Sequence, residues 1–345
     1  LGVNALNAST TASNNTAIGF VALTANTTGT QNVAVGANAL DANTTGGNNT
    51  AVGKNSLTSS TTGDDNTAIG RDALFSNTTA NNNTAVGTLS LAVNTTATGG
   101  TALGTQALEA NTTGNYNTAV GMQSLESNQT GTDNVAVGYY ALQANTASNN
   151  VGVGRRALAA NTTGTSNVAV GSEALDAATT ADNNTAIGRA ALGANTTGSS
   201  NTAVGSVALD ANTTGYYNVA LGTDTLGANT TGRENSAVGT FALDACTTGR
   251  FNTGIGQSAL TDLTTGDDNT TIGVNAGMQI TTGTNNVCLG TNSGRSVSPS
   301  GQLTTHSNVV VLGDNNIANA YIKVAFTVTS DERDKTDIQD ITTGL

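Results

Sequence analysis

A glycine returns every 17 residues, from Gly2 to Gly290, with a single 16-residue step between Gly138 and Gly154. A fixed short period means one small unit stacked on copies of itself. Such a chain makes length and surface. Few of its coils differ enough to assemble a pocket, so catalysis on an external substrate is disfavoured. Aromatic residues are 3% of the chain, charged residues are 10%, and Trp is absent. A conventional globular core is therefore excluded. Disorder is excluded too, because disordered tracts keep composition but not positional register.

Counted from the repeating glycine, position −1 is Val, Ile or Leu, −2 is usually Ala, −3 is Thr or Val, and −4 is nearly always Asn. Position +4 is Leu from Leu6 through Leu260, and +3 and +6 are small. Positions +7 to +10 read Asn-Thr-Thr-Gly in most coils, whereas +1, +2, +5, +11 and +12 vary freely. Variable positions are read as facing water. The stretch from −4 to 0 alternates and is rich in Thr and Val, which predicts a short strand with −3 and −1 turned inward. From 0 to +7 the constant positions are 0, +3, +4 and +7, a helical spacing. It fits either one tight helical turn or a bent second strand. Asn-Thr-Thr-Gly reads as a turn, in which Asn and Gly tolerate positive φ and Asn caps the backbone. Asn at −4 is expected to ladder with its copies above and below.

The fold class expected is all-β: a parallel β-roll or β-solenoid of 17-residue coils, assembled as a homotrimeric fibre. About 17 coils at ~4.8 Å give a shaft of roughly 80 Å. The trimer is expected because two large apolar side chains per coil are too few to order 17 residues. Small residues at −2, +3 and +6 suggest close approach of another surface.

The net charge is −12, and the 11 Lys and Arg residues are scattered. No basic stripe can neutralise phosphates, so nucleic acid is not an expected partner. No run of 18 apolar residues spans a membrane. The chain opens in mid-repeat without Met, so residues before Leu1 are expected. Cys246 and Cys288 fall two to three coils apart, roughly 10–14 Å, beyond the ~7 Å Cα separation of a disulfide. They are read as buried small hydrophobes. Asp64-Asp65 and Asp267-Asp268 lack calcium-loop spacing, and the lone His306, three copies of which could meet on a trimer axis and hold an ion, is read as merely packed, so no metal and no cofactor are expected. Asn-Thr-Thr matches a glycosylation acceptor, but it comes with the turn. An ice-binding face is disfavoured with −3 pointing inward. Tyr139-Tyr140 and Tyr216-Tyr217 are exposed by position and offer rings for sugars.

The segment N-V-A-V-G at 32–36, 134–138 and 167–171 resembles the S-V-A-I-G signature of trimeric autotransporter adhesin heads, which are trimers of parallel β-rolls with shorter coils. The complete 17-residue unit resembles repeats of phage tail fibres. Near the end, Ala-Leu becomes Ala276-Gly277 and then Ser293-Gly294, a variant also found there. Residues 330–338, S-D-E-R-D-K-T-D-I, resemble the opening of the endosialidase-type intramolecular chaperone domain, which trimerises such fibres and then cuts itself off. That resemblance implies an autocleavage dyad of Ser330 and Lys335, with the bond cut between Ser330 and Asp331. The organisation expected is a repeat shaft (1–294), an irregular end-piece with short strands (295–329) and the start of the chaperone segment (330–345). The function implied is the shaft of a phage tail fibre or similar appendage on a virion, serving attachment to a host-surface glycan or protein. A bacterial trimeric surface adhesin is the alternative.

Overall fold

The computed structural model describes residues 2–319. Its regular structure is one parallel sheet of eighteen three-residue strands, β1 (Thr16–Ile18) to β18 (Val310–Leu312), each paired with the next in sequence. No helix occurs among the described residues. The chain is a parallel β-solenoid. Strands pair position for position: Thr50 with Thr67, Ala51 with Ala68, Val52 with Ile69. The short coil joins β8 (Val135–Val137) to β9 (Val151–Val153) without a register slip. The missing residue is absorbed in the turn, where Asn145 Nδ2 donates to Ala147 O at 2.8 Å. After β17 (Val287–Leu289) the ladder crosses a 23-residue step to β18 and stays in register. The stack therefore runs beyond residue 294.

The strand faces the opposite way from the sequence expectation. In Thr50–Val52 the central Ala51 is buried, while Thr50 and Val52 are half-exposed. Alternation holds, but the inward residue is Ala at −2, not the pair at −3 and −1. The reason is the thinness of the coil. Its interior holds one Leu side chain per level, and only Ala fits opposite it. Leu57, Ala51 and Ala68 are all fully buried. Most coils thus bury one large apolar side chain rather than two; the coil with Leu260 and Leu263 is an exception. The small residues at −2 and +3 line this interior and do not meet a second surface.

The segment from +1 to +6 is neither a helical turn nor a strand. Asn38 at +2 and Leu40 at +4 have φ of 59° and 52°. Alternating the sign of φ points successive N–H groups to opposite neighbours. Asn38 N donates to Phe20 O in the preceding coil at 3.0 Å, and Leu40 N to Ser56 O in the following coil at 3.0 Å. Holding Leu in the left-handed region costs about 1–2 kcal/mol. Burying it completely returns about 1.5–3 kcal/mol, and its N–H is bonded as well, so burial wins. The helical spacing of 0, +3, +4 and +7 reflects a shared inward direction: Ala39, Leu40 and Asn43 are all fully buried.

The repeating glycine has two independent reasons to be glycine. Gly53 sits at φ 137°, and a Cβ there would lie 2.4 Å from Gly70 O in the next coil. Stacked backbones meet at this corner with no room for a side chain.

Two asparagine ladders tie the coils together. At −4, Asn49 N donates to Asn32 Oδ1 at 3.0 Å, and Asn49 Nδ2 donates to Gly63 O at 2.7 Å. At +7, Asn43 Nδ2 donates both to Gly46 O in its own turn at 3.0 Å and to Asn26 Oδ1 in the preceding coil at 2.9 Å. Asn43 and Gly46 do not have positive φ. Asn-Thr-Thr-Gly is therefore fixed by side-chain bonding, not by left-handed geometry. The first Thr joins in, with Thr44 Oγ1 donating to Thr61 O at 3.0 Å.

The +7 ladder breaks where its residue type changes, and each break leaves an acceptor unpaired. Asn43, Asn161 and Asn229 each carry a buried Oδ1 without a partner. The residues at +7 in the following coils are Ser60, Ala178 and Cys246, none of which carries an amide N–H to donate. Asn128 Oδ1 is likewise unpaired, because Asn145 in the short coil turns its amide to Ala147 O.

Candidate interaction surface

Turning −3 and −1 outward creates the most extended feature of the molecule. Every strand presents Thr, Val or Ser at −3 and Val, Ile or Leu at −1 on one flat face. Ile18, Ile69, Leu103, Ile272 and Leu289 all count among the exposed large hydrophobics, with Leu103 at 46%. Eighteen strands at ~4.8 Å make a strip of roughly 80 Å. At two residues of strand width, ~7 Å, its area is on the order of 500–600 Å² before side chains are counted, the upper end of what a monomer exposes. No residue at −3 or −1 of the eighteen described strands is charged, although the chain carries a net charge of −12. Sequence reasoning picked out these positions as constant but assigned them to the interior. The signal for the correct face was the small residue at −2, which is Ala or Gly in fifteen of the eighteen strands.

The other candidate residues are dispersed. Ser330 and Lys335 lie outside the described residues. The rings of Tyr139 and Tyr140 pack tilted by 38°, with centroids 3.9 Å apart. Tyr216 and Tyr217 meet edge to face at 5.3 Å. The carboxylates read against calcium serve the backbone: Asp64 Oδ1 accepts from Gly47 N at 2.7 Å, and Asp267 Oδ1 from Arg250 N at 2.9 Å. His306 is exposed, and its carbonyl accepts from Asn286 Nδ2 at 2.8 Å. Among the described residues no group of three or more His, Cys, Asp or Glu is arranged to hold a metal ion. No helix among them is long and apolar enough to cross a membrane.

Cys246 and Cys288 are free and buried. Burial raises their thiol pKa to about 12 and about 11. Cys246 replaces the +7 Asn, and its Sγ approaches Gly249 O at 3.8 Å. Both are inert packing residues. A crowded acidic spot lies on the +2 and +5 columns. Burial, and then repulsion from Asp224, raise the pKa values of Asp210 and Asp244. The glycine between them, Gly227, lets the carboxylates close in: a Cβ there would sit 2.4 Å from Asp224 Oδ1 and would push that side chain aside. Comparison of the chain with protein-family models, with curated proteins and with solved structures finds no match.

Proposed function

We propose that this chain is a shaft segment of a homotrimeric attachment fibre, of the phage tail fibre type, in which each protomer turns its strand face toward the other two. The single observation that carries the reading is the uncharged Thr/Val–Val/Ile face running through all eighteen strands. Positions +1, +2, +5, +11 and +12 vary freely in size and charge; the face positions do not. A strip of this length joined to two others approaches the area of a standard protein interface. Outward Thr also suits a water-ordering face, but Val stands at −3 in strands such as Val33–Val35, Val135–Val137, Val151–Val153 and Val168–Val170. That mixture favours contact with protein. A bacterial surface adhesin is the second reading, favoured by the N-V-A-V-G strands.

Light scattering tests the assembly. The expected mass is three times the 34.0 kDa of the chain. Val120→Lys with Val137→Lys places charge in the middle of the face without touching the coil interior, and the expected result is folded monomer. A wild-type mass of one chain would sink the proposal. The Ser330–Lys335 cleavage is tested separately: a longer precursor is expected to lose its C-terminal segment after Ser330, and Ser330→Ala is expected to stop it. Continued processing in that variant refutes the dyad.

A further inference from the structure

Outside the strand face, consecutive coils place Thr231, Thr248 and Thr265 at +9 and Arg233, Arg250 and Asp267 at +11. Together they line a surface groove of about 330 Å³. The groove stands out on a chain of net charge −12, because it brings two guanidinium groups onto neighbouring coils.

The two arginines are held differently. Arg250 Nε donates to Asp267 Oδ2 at 3.0 Å, so Asp267 is neutralised and fixed. Both terminal amino groups of Arg250 are left without a hydrogen-bond partner among the described residues. Arg233 has no carboxylate partner among the described ion pairs. Its Nη1 donates to Tyr216 Oη at 2.8 Å, and its Cζ lies 5.5 Å from the Tyr216 ring centroid. The ring thus holds the guanidinium in place while its Nη2 stays free and its Nε stays buried and unpaired. A preorganised, uncompensated guanidinium suits a carboxylate. Elsewhere, cations such as Arg71, Arg155 and Arg156 are already paired with Asp72, Glu173 and Asp176.

The rest of the groove speaks to what carries that carboxylate. Among the described residues the hydroxyls of Thr231, Thr248 and Thr265 find no hydrogen-bond partner, unlike the +8 hydroxyls, of which Thr230 Oγ1 donates to Thr247 O at 3.1 Å. They form an exposed file at the ~4.8 Å coil spacing. On the adjacent +12 column, Tyr217 is 60% exposed and Phe251 is 41% exposed, and Arg250 Cζ lies 6.0 Å from the Phe251 ring. Free hydroxyls in file, one unpaired cation and exposed ring faces match a polyhydroxylated ligand bearing single carboxylates. A phosphate polymer would need a run of cations that the groove lacks.

We propose that the groove around Arg233 and Arg250 binds a carboxylated saccharide of the uronic acid class. The groove lies within one chain, so binding there does not require the trimer; the attachment reading supplies only its biological use.

The test is calorimetry on the full chain with trigalacturonate, its neutral methyl ester and a short polyglutamate. Trigalacturonate is expected to bind at least about tenfold more tightly than the ester, the worth of one charge-assisted contact. Arg233→Gln is expected to lose that margin, and Thr248→Val to weaken binding while leaving both arginines and their partners in place. Arg71→Gln, on a distant coil, is expected to change nothing. Equal affinity for the ester, equal affinity for polyglutamate, or undiminished binding by Arg233→Gln each overturns the proposal. A trimer that binds none of the three sinks the groove and leaves the fibre standing. A monomer that binds trigalacturonate does the reverse.

Discussion

Replacing Ala178 by asparagine closes a specific gap in the +7 ladder. Below it, Asn161 Nδ2 already donates to Asn145 Oδ1 at 2.7 Å and to Gly164 O at 2.9 Å, but Asn161 Oδ1 is buried and unpaired. Above it, Asn195 Nδ2 donates only to Gly198 O, at 2.8 Å. The amide introduced by Ala178→Asn would donate to Asn161 Oδ1 and accept from Asn195 Nδ2, the arrangement that Asn212 makes with Asn195 at 2.8 Å. Space is available by precedent. Asn77 sits at +7 with Ala at +10, as position 178 does, and Asn77 Nδ2 donates to Ala80 O at 3.2 Å. Satisfying a buried acceptor is worth about 1–3 kcal/mol. Ordering the new side chain takes back part of it, about 1 kcal/mol. With about 1 kcal/mol more from the bond accepted from Asn195 Nδ2, the lower part of that range, about 1–2 kcal/mol, is the net gain expected. A global melt dilutes such a change, since coils interact mainly with their neighbours. Amide hydrogen exchange across the three coils from Leu158 to Leu192 is the sharper assay, and protection there should rise roughly 5–30-fold. Unchanged or weakened protection refutes the reasoning, because it would mean the orphan acceptor costs nothing in the native state.

Gly70→Ala is expected to destabilise by several kcal/mol. Its φ is 138°, and the new Cβ would lie 2.4 Å from Gly87 O, so strain and a backbone clash add. Collapse of protection in the flanking coils is the expected result, and a neutral variant would refute the corner argument. Leu125→Ala removes a fully buried side chain and should cost about 2–5 kcal/mol by denaturation; the same change at the outward Leu103 should cost far less in the monomer. Cys246 and Cys288 should resist alkylation at pH 8 until the chain unfolds. Their raised folded-state values, about 12 and about 11 against 9.0, mean that the unfolded thiols ionise first. Stability should therefore fall as pH rises above about 9, and Cys246→Ala with Cys288→Ala should flatten that slope. Asp224→Asn should stabilise by some tenths of a kcal/mol at pH 7, where Asp210 and Asp244 are repelled, after allowance for solvent screening. Raised carboxylate pKa values favour the folded state once protonated, so the gain should vanish at pH 3; a gain that persists there would count against repulsion.

Much of the fold was legible because one period governs it. The 17-residue glycine, the Asn at −4 and the Leu at +4 predicted stacking, the ladder and the buried Leu column, though not that this column is alone. Two directions were not legible. Thr50 and Val52 alternate with Ala51 whichever way the strand faces, and apolar character favoured the wrong side. Only the width of the interior, set by Leu57 and its neighbours, decides that Ala goes in. Likewise, constancy at 0, +3, +4 and +7 imitates a helix. The left-handed φ of Asn38 and Leu40 arises because both neighbouring coils must be bonded, a demand absent from any isolated segment. The groove at Arg233 was invisible for a related reason. Its residues lie 17 apart in sequence, and Tyr216 was noted only as one of an exposed pair.

The sequence by itself determined the repeat, the parallel register and the residues that could not vary, because identical units satisfy their backbones most simply by stacking on one another. The tertiary structure decided which constant residues face inward and which form the uncharged outer strip. It also decided which acceptors are orphaned at ladder breaks. Those are consequences of closing each coil around a space one leucine wide, and closure is a property of the coil in three dimensions rather than of any residue in it.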